Sequence, residues 1–210
     1  MGRYTGAKCR LCRREGIKLM LKGARCETAK CPMERQWRSF PPGQHNWRRG
    51  RGSEYRLRLR EKQKVKRYYG VYEKQFVDYF HQAERQKGNT GVALLSLLER
   101  RLDNVVYKLG FAPSRAAARQ TVSHGHVCVN TRRVSVPSCL VRVGDRITIK
   151  KAERSEKLIR GCLEELGEPH VQNWLTVDGQ KLQADIVAMP TRGDVTIPVE
   201  EQLIVECCSR

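Results

Sequence analysis

Four cysteines open this chain as Cys9-x-x-Cys12 and Cys26-x-x-x-x-Cys31, with thirteen residues between the pairs. They stand in a segment, residues 1–52, that has no sustained apolar periodicity from which to build a core. Two close cysteine pairs can close around one tetrahedral ion, and Cys-x-x-Cys is the tight turn that offers two thiolates to it. A segment this poor in apolar residues can draw most of its folding energy from such an ion. Zn²⁺ is the expected metal: one structural ion held by Cys9, Cys12, Cys26 and Cys31, with no position left for water. Four cysteines also suit an iron–sulfur cluster, which remains the alternative. The other five, Cys128, Cys139, Cys162, Cys207 and Cys208, form no second paired pattern. Cys128 and Cys162 read as small core residues. Cys207 and Cys208 receive no function.

Charge is the next constraint. The net charge of +19 is unevenly placed: residues 1–70 hold 21 Lys and Arg against 5 Asp and Glu, and residues 100–151 hold 11 against 2. Residues 152–210 reverse the balance, with 6 cations against 11 acids. Two basic blocks followed by an acidic end point to a polyanionic partner gripped by the first three quarters of the chain. No apolar run approaches membrane-spanning length, and no apolar signal segment follows Met1, so neither membrane nor export is expected. Nine cysteines in a cytoplasmic chain are thiols or metal ligands rather than disulfides.

Local patterns then divide the chain. Pro41-Pro42-Gly43-Gln44-His45 forbids a helix, and Trp47-Arg48-Arg49-Gly50-Arg51-Gly52 reads as an arm that tracks phosphates and stacks on bases. Ser53 caps a helix from Glu54 to about Tyr69, stopped by Gly70. Seven cations of that helix, among them Arg56, Arg60, Lys62, Lys64 and Arg67, face only Glu54 and Glu61 within it, which favours RNA contact. Phe76, Phe80 and Ala83 give a second helical stripe over 73–87. Thr90 caps a leucine-striped stretch through Leu109, broken near Glu99-Arg100-Arg101. Ser114 caps a short helix to about Ser123. Short strands follow at His126–Val129, Arg132–Val134 and Arg146–Lys150, with a turn at Asn130-Thr131. Residues 155–166 are amphipathic. Trp174–Val177, Leu182–Met189 and Leu203–Val205 read as further strands.

Arg115 and Arg119 lie four apart on the Ser114-capped helix and so share a face. His124, His126, Asn130, Arg132 and Arg133 continue it into the adjoining turn and hairpin, a surface of guanidinium, imidazole and amide donors suited to phosphates and RNA shape. The run Arg101-Leu102-Asp103-Asn104-Val105-Val106-Tyr107-Lys108-Leu109-Gly110-Phe111-Ala112, then Ser114-Arg115, Ala118-Arg119-Gln120, His124-Gly125-His126-Val127, Val129-Asn130 and Pro137-Ser138, resembles the S4-type RNA-binding module, a small αL fold.

Met1-Gly2-Arg3-Tyr4-Thr5-Gly6, the cysteine quartet, Pro41-Pro42-Gly43-Gln44-His45, Leu59-Arg60-Glu61-Lys62-Gln63-Lys64 and Pro198-Val199-Glu200-Glu201-Gln202-Leu203-Ile204-Val205-Glu206 extend the likeness end to end. They resemble the bacterial small-subunit ribosomal protein S4 family, in its cysteine-containing form. The resemblance implies an α+β protein. A metal knuckle and basic arm (1–45) and a helical domain (46–98, rejoined by about 197–210) flank an inserted S4-type domain (99–196) with a small antiparallel sheet. It implies a cytoplasmic, ribosome-bound, non-enzymatic constituent of the small subunit. Such a protein binds 16S ribosomal RNA first, nucleates assembly, and affects translational accuracy. Its implied partners are small-subunit ribosomal RNA, small-subunit proteins five and three, and messenger RNA where it enters the subunit, with no small-molecule substrate. The candidate RNA-binding residues are Arg3, Arg10, Arg13, Arg14, His45, Arg48, Arg49, Arg56, Arg60, Lys62, Lys64, Arg67, Arg101, Arg115, Arg119, His124, His126, Asn130, Arg132 and Arg133.

Two rivals stand against this. Arg101-Leu102-Asp103 resembles the Arg-Leu-Asp of pseudouridine synthases, whose aspartate is a nucleophile in a separate domain. Here Asp103 lies inside the leucine stripe, where pairing with an arginine is expected, and about sixty residues remain, too few for that catalytic domain. A zinc-finger DNA-binding regulator would need a recognition helix or dimer seam, and neither is evident.

Overall fold

The computed structural model describes residues 2–45, 52–167 and 171–209. The chain divides into two compact units. One comprises Met1–Leu94 with Thr196–Arg210, and the other comprises Leu95–Val195.

The first unit begins with α1 (Cys9–Glu15), a short helix closed by Gly16, whose φ of 74° lets its N–H turn back to the Cys12 carbonyl. Cys9 and Cys12 therefore sit in a helix rather than in the tight turn that their spacing suggests. Two 3₁₀ turns, Gly23–Cys26 and Gln36–Arg38, carry the chain onward. The next helix, α2 (Glu54–Tyr69), starts where the Ser53 hydroxyl accepts the Arg56 N–H and stops at Gly70, φ 65°. α3 (Glu73–Glu84) buries Phe76, Tyr79, Phe80 and Ala83, and it ends short of the expected residue 87.

α4 (Thr90–Glu99) carries the chain across the division between the units. It is capped by Asn89, whose Oδ1 accepts the N–H groups of Gly91 at 2.8 Å and Val92 at 3.3 Å, so Thr90 is not the cap. The first unit closes with α8 (Glu201–Cys208), which packs on α2. This corrects the strand expected at Leu203–Val205. Three apolar residues in a row fit either state, and here Ile204 is fully buried on a helix.

The second unit holds α5 (Leu102–Lys108), α6 (Arg115–Ser123), α7 (Glu153–Leu166) and a five-stranded antiparallel sheet. The strands are β1 (Val127–Val129), β2 (Arg132–Arg133), β3 (Arg146–Ile149), β4 (Leu175–Asp178) and β5 (Gln183–Ile186), in the order β2-β1-β3-β5-β4. Asn130 and Thr131, at φ 49° and 70°, form the two-residue turn that sets Val129 opposite Arg132. Gly125, φ 72°, leaves room for the Arg133 guanidinium, which an added Cβ would strike at 2.1 Å. Leu102, Val105, Val106, Leu109, Phe111, Val122, Val127, Ile147, Ile159 and Trp174 join one buried cluster. Each such aliphatic side chain contributes roughly 1.5–3 kcal/mol on burial.

Candidate nucleic-acid interface

The arginines of the second basic block separate into two populations. Arg101, Arg115 and Arg119 are 0%, 7% and 8% exposed, so these candidates, of which Arg115 and Arg119 were expected to share an outward helix face, do not belong to the open surface. Asp103, at the start of α5, gathers two of them. Its Oδ1 and Oδ2 accept Arg101 Nε at 3.1 Å and Nη2 at 2.7 Å, and Oδ2 also accepts Arg119 Nη1 at 3.1 Å. Its neighbour Asn104 takes the third, accepting Arg115 Nε at 2.8 Å and donating to Glu99 Oε2 at 2.6 Å. Lys108 Nζ completes the chain 2.7 Å from the same Glu99 oxygen. Burial pulls the Lys108 ammonium down, and Glu99 opposes that shift.

The first N–H groups of α5 are satisfied by the β2–β3 connection: Leu102 donates to the Cys139 carbonyl at 2.8 Å and Asp103 to that of Pro137 at 3.1 Å. Buried charges persist only when paired and hydrogen-bonded, and this network meets that condition. It holds α5, α6 and the loop before β3 together. The polar pair Asp103-Asn104 inside an apolar run is the sequence signal for it.

The exposed population lies around the β1–β2 hairpin. Arg132 and Arg133 point to solvent, and Arg133 Nη2 donates to the His124 carbonyl at 3.2 Å. His124 is exposed, and its ring centroid is 6.1 Å from that of half-buried His126. His126 Nδ1 lies 2.9 Å from Ser155 Oγ on α7. Its pKa is pushed down by burial, then by His124, Lys150 and Arg133. Asn130 is exposed but engaged within the fold. Its Nδ2 donates to Asp145 at 2.7 Å, and its Oδ1 accepts the Arg146 N–H at 2.9 Å, so it sets the hairpin against β3 rather than offering a free amide. Arg142, Lys150, Lys151 and Arg154 are exposed in the same unit and were not among the residues singled out from sequence.

In the first unit, α2 is far better neutralised than its own sequence suggests. Arg58 pairs with Glu206 at 2.6 Å and Glu54 at 3.2 Å, Lys66 pairs with Glu73 at 2.7 Å, Lys62 pairs with Glu73, and Lys64 with Glu61. Arg60, at 3.4 Å, and Arg67 both reach Glu15 of α1. Burial pushes the Glu15 carboxyl up, against Arg67 and Arg60, which draw it down. Arg60, Lys62, Lys64 and Arg67 are thus half-buried ion-pair members, whereas Arg56 is exposed. Arg3, Arg10, Arg14 and His45 are exposed and Arg13 is half-buried; Arg14 Nη2 donates to the Pro42 carbonyl at 2.9 Å. Arg48, Arg49 and Trp47 lie outside the described residues.

Cys9, Cys12, Cys26 and Cys31 line one cavity, together with Leu21, Pro32 and Met33 and with Lys8 and Lys22. Three of the thiols are buried and Cys9 is partly exposed. Burial pushes the Cys12 thiol up, the Leu19 backbone draws it down, and Cys26, Cys9 and Cys31 raise it further, which places all four within electrostatic reach. Four soft donors and an apolar wall suit a thiolate-binding metal. As the side chains stand, no group of three or more His, Cys, Asp or Glu among the described residues is drawn into metal-holding geometry. No helix among them is long and apolar enough to cross a membrane.

Comparison with known proteins matches residues 3–99 to the family described as "Ribosomal protein S4/S9 N-terminal domain" and residues 100–147 to the S4 domain. The chain is 55% identical over 210 residues to small ribosomal subunit protein uS4 of Halothermothrix orenii, with all of both chains covered. It is 53% identical over 211 residues to uS4 of Thermus thermophilus and 52% identical over 210 residues to uS4A of Symbiobacterium thermophilum, again across the whole of each chain.

Proposed function

Because this chain belongs to the uS4 family of small ribosomal subunit proteins, we propose that it is an RNA-binding constituent of the small subunit, acting on the ribosome in the cytoplasm. Its partner is 16S ribosomal RNA, which it binds early enough to nucleate assembly. The observation that carries this reading is the exposed Arg132-Arg133 hairpin with His124 beside it, mounted on a module in which Arg101, Arg115 and Arg119 are spent internally. Arg3, Arg10, Arg14, His45 and Arg56 add exposed donors in the first unit. Contacts with small-subunit proteins five and three, with messenger RNA where it enters, and an effect on accuracy follow from the family resemblance. Filter binding of the full chain to folded small-subunit RNA tests the reading. With roughly six to ten phosphates neutralised, affinity falls by about 10³–10⁵ between 50 and 200 mM salt. Salt-independent binding would overturn it.

The cysteine cavity takes one structural Zn²⁺ on Cys9, Cys12, Cys26 and Cys31 in this reading; the donor set supports it. Metal analysis should return about one zinc per chain, and Cys9→Ser should open residues 1–45 to protease while the second unit, with its own core, resists. Iron with a brown chromophore would replace zinc by a cluster. In this reading the protein is not an enzyme, and Asp103, held between Arg101 and Arg119, is structural. Loss of a pseudouridine in an Asp103→Asn strain would contradict this.

A further inference from the structure

Trp37 stands on the one-turn 3₁₀ helix Gln36–Arg38 and is 65% exposed, the most open large apolar side chain among the described residues. Solvent exposure of an indole forgoes the largest burial gain that any side chain offers. Loose packing does not explain it, because the turn is well held. Arg38 N–H donates to the Arg35 carbonyl at 2.8 Å and Glu34 N–H to that of Cys31 at 3.1 Å. Arg35 Nε donates to the Ala29 carbonyl at 3.1 Å, and Ser39 Oγ donates to the Gln36 carbonyl at 2.9 Å. The backbone that carries the ring is therefore held, and the ring itself is directed to solvent. Its one described ring contact is the Arg38 guanidinium, 4.4 Å from the centroid, which covers part of the indole and leaves the rest open.

We propose that Trp37 and Arg38 form a stacking site for one unpaired nucleobase of the bound RNA, with Arg38 closing the stack and meeting the adjoining phosphate. The inference rests on the RNA-binding reading above and adds a contact of a different kind to it. Sequence-tolerant RNA contacts combine a basic track with an aromatic platform. Both are present here: Arg3, Arg10, Arg14, Lys18, Lys22, Arg25, Lys30 and Arg38 are all exposed in the same segment. The charge argues for RNA over an apolar protein surface. A protein-docking tryptophan would sit in an apolar surround, whereas residues 1–45 hold 11 Lys and Arg against 3 Glu.

The test is filter binding of full-length wild type, Trp37→Ala, Trp37→Phe and Arg38→Ala to folded small-subunit RNA at two salt concentrations, with thermal unfolding as a control. Stacking on an aromatic ring accounts for about a 5- to 150-fold share of affinity per base. Trp37→Ala should lose affinity within that range with the salt slope unchanged, because no phosphate contact goes. Trp37→Phe should keep most of the affinity. Arg38→Ala should lose affinity and flatten the slope by about one. Wild-type binding by Trp37→Ala would overturn the site while leaving the RNA-binding reading intact; failure of wild type itself to bind would defeat that reading instead. Normal RNA binding by Trp37→Ala with failed incorporation into particles would assign the ring to a protein neighbour and equally overturn the proposal.

Discussion

Helices α5 and α6 and the β1–β2 hairpin are both rich in arginine and lie within about thirty residues of one another, yet they use it in opposite ways. In α5–α6 the guanidinium groups turn inward to Asp103 and Asn104, neutralise buried carboxylates and stiffen the module. In the hairpin they turn outward, set by a two-residue turn with both φ positive and, for Arg133, by the space over Gly125 and one bond to the His124 carbonyl. The difference follows from what each arginine can reach. A cation near an unpaired buried carboxylate gains a charge-assisted bond and relieves a desolvation cost. A cation on the edge strand meets no carboxylate: Arg133 reaches only the His124 carbonyl, and its charge stays open to a polyanion. Positive charge counted along a sequence therefore overstates the binding surface and understates the scaffold.

The sharpest break of the comparison is Asp103→Asn. It takes from Arg101, which has no solvent exposure, the carboxylate that accepts two of its bonds, and weakens the hold on Arg119. Removing one member of a buried ion pair costs about 3–5 kcal/mol, so the urea midpoint should fall steeply, and RNA affinity should fall only as far as the folded fraction does. An unchanged midpoint would show the network to be dispensable. Arg115→Ala comes next. It strands the Asn104 Oδ1 acceptor and should cost about 1–3 kcal/mol. This reverses the expectation from sequence, in which Arg115 and Arg119 belong to the RNA-facing surface rather than to the scaffold.

Arg132→Ala with Arg133→Ala should do the converse. Stability should stay within about 0.5 kcal/mol, as for most surface changes, and the salt slope of RNA binding should flatten by about one per lost phosphate contact. If this pair unfolds the protein while Arg115→Ala only weakens binding, the two regions have been assigned the wrong way round.

What the sequence disclosed depended on how far a residue's partner lies along the chain. Ser53 and Gly70 bracket α2, and Asn130-Thr131 marks the hairpin, because caps and turns are local. The fate of Arg115 and Arg119 was hidden, since Asn104 and Asp103 sit on another helix, although the expectation that Asp103 pairs with an arginine held. The cations of α2 looked unopposed because Glu15, Glu73 and Glu206 come from elsewhere. Leu203-Ile204-Val205 read as a strand because its helical state depends on packing against α2.

The smallest expected effect lies within the hairpin surface itself. His126 is held below the usual imidazole range by burial and by His124, Lys150 and Arg133, so in the free protein it is neutral at pH 7. For stability the sign is that of a depressed base. The unfolded chain takes up the proton first, so the contribution is complete above the unfolded pKa and is lost as pH falls from there through the lower folded pKa. RNA reverses the local field, because a phosphate beside the ring favours the imidazolium and offsets the groups that depress it. Binding should then take up a proton, and affinity should rise as pH drops from 7.5 to 6. His126→Gln, which keeps a polar side chain in reach of Ser155, should flatten that rise without moving the salt slope measured at pH 8. A wild-type affinity that is flat with pH would place the phosphates away from His126 and confine the interface to Arg132, Arg133 and their exposed neighbours.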